Sequence, residues 1–260
     1  MTATAARTAT EPRSVPRELR ARLQSEQRAV TEESEAFGAF LDRTEAVPPE
    51  QPTPTARVRG IDHCGGVSGL GTVREAYEGT VMAVSHYDEE YGDTYPESVV
   101  AEFGPEIGAA LIDGRWFQAH LKRATIAKAR QCRDERERLL ETLEIESESI
   151  TSVGEELRSI GVELREFGSD PPSERNYGAL EAEWRRLDVL ATDLDRVATT
   201  RPRAIIRERR EITLPSSAPD IPAYLYREFD DGYPLLGPCA ELQRRIWRYK
   251  AERERALAGV

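Results

Sequence analysis

Residues 115–167 contain no proline. In the second half of that stretch apolar residues recur at alternating intervals of four and three: Leu139, Leu143, Ile150, Val153, Leu157, Ile160, Leu164 and Phe167, with Glu146 at the one polar seam position. This spacing holds a single stripe along one side of an α-helix and matches a coiled-coil register. A strand, whose side chains alternate every second residue, does not fit it. A straight helix of this extent would run for about 80 Å. Such a helix buries its stripe only against other helices, so the rest of the chain has to supply them.

The next segment supplies one. GSDPP at 168–172 breaks the helix, with Asp170 as a capping residue and Pro171 suited to a first helical position. A second stripe follows at Tyr177, Leu180, Trp184, Leu187, Ala191, Leu194 and Ala198, widened by Leu190 and Val197. Two stripes joined by so short a break predict an antiparallel helical hairpin. Ile150, Leu157, Leu164, Trp184, Leu187 and Leu194 are the expected stalk core and the expected interaction residues. Arg201-Pro202 is expected to kink or end the second helix. Residues 16–45 predict a further helix with Leu19, Leu23, Val30, Phe37, Phe40 and Leu41 on one side. Glu26 and Glu33 interrupt its seam, so it is expected to dock on the stalk with modest strength. A last stripe, Leu235, Cys239, Leu242, Ile246, Tyr249 and Leu257, predicts a C-terminal helix.

Prolines and glycines mark the boundaries. VPPEQPTPTARVRG at 47–60 and TLPSSAPDIP at 213–222 read as linkers. The glycine stretch GGVSGLGT at 65–72 raises the question of a phosphate-binding loop. Gly66 and Gly71 have the P-loop spacing, but Thr72 stands where the lysine belongs, and Arg74 stands where a dinucleotide-binding turn needs its last glycine. Thr72 and Glu75 fit a capping box instead, as do Thr94 and Glu97. The glycines therefore predict a lead-in to a helix from Val73, followed by short helices near 95–102 and 105–112. Gly154, Gly161 and Gly168 recur every seventh residue beside the long seam, which would let another helix approach there. The whole predicts an all-α protein: an antiparallel coiled-coil hairpin or three-helix stalk with a small helical head. Its expected parts are a disordered tail at 1–15, a docking helix at 16–45, a linker at 46–71, the head at 72–131, the hairpin at 132–212, and a C-terminal region at 213–260 completing the head.

Composition bears on solvent and chemistry. The chain carries 47 acidic and 36 basic residues, a net charge of −11, and its only lysines are Lys122, Lys128 and Lys250. An acidic, arginine-dominated surface suits high salt, where screening shortens to about 3 Å at 1 M and exposed ion pairs contribute little. Cys64, Cys132 and Cys239 form no metal-binding pair and read as reduced thiols in a cytoplasm. No apolar run approaches the roughly 20 residues that span a bilayer.

Four stretches carry candidate chemistry. HYDEEYGDTY gathers His86, Asp88, Glu89, Glu90 and Asp93, which could hold a hard cation or supply a base, with Tyr87, Tyr91 and Tyr95 beneath. Its spacing matches no EF-hand and no zinc-protease helix. Asp62-His63-Cys64 sets a thiol beside a histidine, but neighbours in sequence rarely share catalytic geometry, and a loop thiol is the expectation. RPRAIIRERR at 201–210 and RRIWRYKAERER at 244–255 interleave arginine with aromatic or apolar residues, as nucleic-acid-binding segments do, within an otherwise acidic chain.

VREAYEGTVMAVSHYDEEYGDTYPESVVAEFGPEIGAALIDG at 73–114, with EAFGAFLDR before it and PAYLYREFDDGYPLLG after it, resembles a family of haloarchaeal helical proteins of unknown function. The resemblance implies a salt-adapted helical protein and brings no activity, ligand or site residue. The expected function is protein–protein interaction or structural scaffolding without catalysis, cofactor or metal, through a protein partner or self-association. The alternatives are a nucleic-acid-associated regulator using 201–210 and 244–255, and an enzyme or metal binder using 86–93.

Overall fold

The structure is a computed structural model. It describes residues 15–51, 68–169, 172–211, 226 and 234–259, with the backbone alone for 201–211. Eight α-helices make up nearly all of it, and no strand occurs among the described residues: the protein is all-α. They are α1 (Val15–Ala46), α2 (Gly69–Glu78), α3 (Tyr87–Glu90), α4 (Tyr95–Phe103), α5 (Pro105–Asp113), α6 (Ala119–Glu166), α7 (Tyr177–Glu211) and α8 (Leu236–Leu257). No described helix is long and apolar enough to cross a membrane. The chain divides into two compact units: residues 1–25 with 142–260, and residues 26–141. By residue range, α1 and α6 contribute to both.

The first unit is built on the long stripe. Leu157, Ile160 and Leu164 of α6 bury against Leu187, Leu190, Leu194 and Val197 of α7 and against Cys239, Leu242, Ile246 and Tyr249 of α8. Glu163 of α6 pairs with Arg186 of α7 at 2.7 Å, and Glu156 pairs with Arg196 at 3.0 Å. One partner's number rises as the other's falls, so these segments run antiparallel. α8 in turn runs antiparallel to α7, because Lys250 meets Asp188 and Trp184 meets Glu254. The third helix over the stripe is thus α8. The sequence reading placed this C-terminal helix with the head and the 16–45 helix on the stalk. The correction has a physical source: an amphipathic stripe is recognisable in sequence, but the helix that covers it is chosen by fit and charge. Residues up to 25 of α1 do belong here, with Leu19 and Leu23 buried and Arg20 donating to the Thr151 carbonyl at 3.1 Å. The seven-residue glycines face neighbours as their spacing suggests. A Cβ on Gly154 would lie 2.9 Å from Arg20, one on Gly161 3.6 Å from Leu242, and one on Gly168 2.7 Å from the Tyr249 hydroxyl.

The second unit has an aromatic core. Phe37, Phe40 and Leu41 of α1 pack with Val73 and Tyr77 of α2, Tyr95, Val99 and Phe103 of α4, and Ala129 and Cys132 of α6. Tyr77 meets Phe40, Tyr95 and Phe103 edge-on with ring centres 5.4–5.8 Å apart. Its hydroxyl shares a hydrogen bond with buried Ser98 at 2.9 Å, which satisfies a polar tip inside an apolar core.

Local chemistry moved several boundaries. α2 begins at Gly69 and not at Val73: Ser68 accepts from the Gly71 N–H at 3.1 Å, so Ser68 takes the capping role assigned to Thr72. Glu50 accepts from the Gly69 N–H at 2.9 Å and from the Phe117 N–H at 2.8 Å, tying the segment after α1 to two helix approaches. α2 stops at Gly79, and a 3₁₀ turn, Val81–Ala83, follows. At α4 the expected box forms, with Glu97 accepting from both the Thr94 N–H and its hydroxyl. Gly104, at φ 82°, makes the turn into α5. α7 continues as helix past Pro202 to Glu211, so Arg201-Pro202 does not end it. Asp62, His63, Cys64, Asp170, Pro171 and most of the 213–233 segment lie outside the described residues.

Candidate functional site

The six residues expected as stalk core lie in the first unit. Ile150, Leu157, Leu164, Leu187 and Leu194 are buried within it. Trp184 is half-buried at the edge, where its indole N–H donates to Glu254 at 2.8 Å and the Lys250 ammonium stands 4.2 Å from the ring centre. The apolar side chains therefore meet one another inside one chain. What remains outward is different: Trp247 of α8 is 62% exposed and Tyr177 at the start of α7 is 69% exposed. Trp247 sits opposite the buried α8 stripe, with Arg244 and Arg248 as exposed neighbours on that helix.

Of the basic stretch 244–255, the structure turns part inward. Arg253 is fully buried, with its Nε on Glu183 at 2.9 Å, Nη1 on Glu252 at 3.2 Å and Nη2 on the Phe167 carbonyl at 2.6 Å. Arg175 also pairs with Glu183. Sequence reading missed Arg253, although its register was a signal: it falls four residues after Tyr249, on the α8 stripe. The side chains of 201–210 lie outside the description.

The acidic cluster at 86–93 is split by the fold. Asp88, Glu89 and Glu90 are exposed, Tyr87 and Tyr95 are buried, and His86 and Tyr91 reach carboxylates of α1. His86 Nε2 lies 3.0 Å from Glu33 and its Nδ1 3.6 Å from Glu32, both on α1. The Ser85 N–H and hydroxyl donate to Glu32 at 2.8 and 2.7 Å, and the Tyr91 hydroxyl donates to Glu33 at 2.9 Å. Arg136 of α6 closes the group, with Nε on Glu33 at 3.0 Å and a two-pronged contact to Glu102 at 2.6 and 3.0 Å. Burial opposes the charge on His86, but its hydrogen bond to Glu33 and the charges of Glu33, Glu90 and Glu32 outweigh burial, so its pKa lies above the ordinary value. Burial likewise opposes the charge on Arg136, and Glu102 and Glu33 more than restore it.

Glu33, His86 and Glu90 each offer a ligand atom, all within 4.8 Å of one another. A cation there would meet the Arg136 guanidinium already on Glu33, and both Glu33 oxygens already accept hydrogen bonds. The group has the charge balance of an internal clasp between α1, the α3 segment and α6. Glu33, read from sequence only as a flaw in an apolar seam, is its centre. Arg136 and Glu102 carried no sequence signal beyond their charge.

Fold and surface thus define a class: an all-α protein of two helical units whose internal charges are largely paired and whose most exposed aromatic side chains, Tyr177 and Trp247, sit on helices. The chain belongs to the family described as Domain of unknown function (DUF7260), which it matches over residues 15–250. No curated protein and no solved structure matches it.

Proposed function

We propose that this protein works by association, as an interaction or scaffold module without catalysis, in a high-salt cytoplasm. The exposed face of α8 carries the reading. Trp247 leaves a large apolar surface in water between two arginines. Tryptophan and arginine are the side chains that most often dominate binding at protein interfaces, and burying an exposed indole there is worth more than elsewhere on the surface. The seams expected to recruit a partner are used up inside the first unit, so the partner is met by this outer face.

The test is molar mass by light scattering in molar KCl, together with affinity enrichment from the native cell, for the natural chain and Trp247→Glu. A mass above the 29.2 kDa of one chain that the variant reduces to one chain supports self-association. A single-chain mass with an enriched protein lost in the variant supports a different partner. A single-chain mass and an enrichment unchanged by the variant would sink the reading.

A further inference from the structure

Within the first unit, the start of α1, the C-terminal end of α6 and the start of α8 enclose a groove of about 580 Å³. Five arginines line it: Arg17 and Arg20 from α1, Arg158 and Arg165 from α6, and Arg245 from α8. Two carboxylates share the lining, Glu155 and Glu241, and Glu241 is engaged by Arg244 at 2.7 Å. Elsewhere in this unit arginines meet carboxylates, as Arg186, Arg196 and Arg253 do. None of the five groove arginines has an ion pair with a described residue. Arg20 is held in place by the Thr151 carbonyl, and its Nε is buried with no hydrogen-bond partner among the described residues.

A chain with 47 acidic residues has carboxylates to spare. Gathering five cations into one cleft against two carboxylates, one of them already engaged by Arg244, raises a local positive field, and a buried donor left unmade is costly. Both costs are relieved by an anion. We infer that this groove binds a compact oligophosphate, either free or as the phosphate tail of a nucleotide. Guanidinium forks match phosphate oxygens two at a time, and several phosphates in one chain match several forks. Arg158 and Arg165 stand two helical turns apart, about 10 Å along α6, so they engage the two ends of such a chain. The volume falls in the range of small-ligand sites, about 300–1,000 Å³. No aromatic ring lines it, so the stacking that holds single-stranded nucleic acid is missing. Gly154 and Gly161 add no side chain of their own to the α6 side of the groove, and any Cβ at 154 would press on Arg20.

The full chain is titrated calorimetrically with inorganic tripolyphosphate, with a nucleoside triphosphate, with sulfate and with oligoglutamate, at constant ionic strength. Saturable binding of tripolyphosphate, weakened at least tenfold in Arg158→Gln/Arg165→Gln, is the expected result. The double variant should melt as the natural chain does without ligand, since neither arginine has a side-chain hydrogen bond or ion pair with a described residue. Triphosphate nucleotide binding equal to tripolyphosphate assigns the phosphates alone; tighter binding assigns the nucleotide. Gly154→Val, which displaces Arg20 without changing charge, should also weaken binding. Absence of saturation, an affinity equal in the double variant, or oligoglutamate binding as tightly as tripolyphosphate would each overturn the inference. The groove and Trp247 are tested by different variants, so either reading can fail alone.

Discussion

Arg253 shows how much one side chain can hold. Its guanidinium is out of solvent and joins α8 to Glu183 of α7 and to the end of α6 at Phe167. Removing one member of a buried charged group typically costs about 3–5 kcal/mol, because its partners are left behind. Arg253→Met should fall at the low end, about 3 kcal/mol by urea denaturation, since Arg175 stays with Glu183 while the Phe167 carbonyl is orphaned. His86 makes a different kind of prediction. Its folded pKa is raised, so the stability it adds is complete below the unfolded value near about 6.5 and is lost as pH rises through the folded value. The urea midpoint of the natural chain should therefore decline as pH rises above about 6.5, and His86→Gln should flatten that decline. A variant that keeps the full slope would remove His86 as its source.

At the scale of elements, helix ends were legible where residues act locally, as at Thr94–Glu97 and Gly104–Pro105. They were missed where the cap comes from far away. Glu50 fixes the start of α2 from 19 residues off, and no window around Val73 contains it. The stripes of α6 and α7 were legible because burial repeats with the helical period. The place of α8 was not, because Leu242 and Ile246 would suit several apolar faces, and what selects one is the set of pairs made by Trp184, Asp188 and Glu183. The clasp of the second unit was half visible: Glu33 is a polar residue at a seam position, yet its partner Arg136 is 103 residues away. Helix propensity offers a simpler test. A Cβ on Gly38 of α1 would meet nothing within 4 Å. Gly38→Ala should stabilise the chain by about 0.5–1 kcal/mol, read as a higher melting temperature.

For the molecule as a whole, the two units bury their charges differently from their surfaces. Arg136 and Arg253 are tied inside, while pairs such as Arg74–Glu78 and Arg185–Glu181 lie exposed and screen out as salt rises. High salt should leave the internal pairs, and hence each fold, in place. Whether the units open together is readable from the chain's own cysteines. Cys132 is buried in the aromatic core of the second unit and Cys239 in the helical core of the first. Burial pushes their thiols up to about 12 and about 11, so at neutral pH both are protonated and unreactive while the fold is closed. With Cys64 replaced by Ser, timed maleimide pulses in increasing urea should modify Cys132 and Cys239 at one shared midpoint if unfolding is all-or-none, and at two if it is not. Each unit comes with its own clock, already sealed inside it.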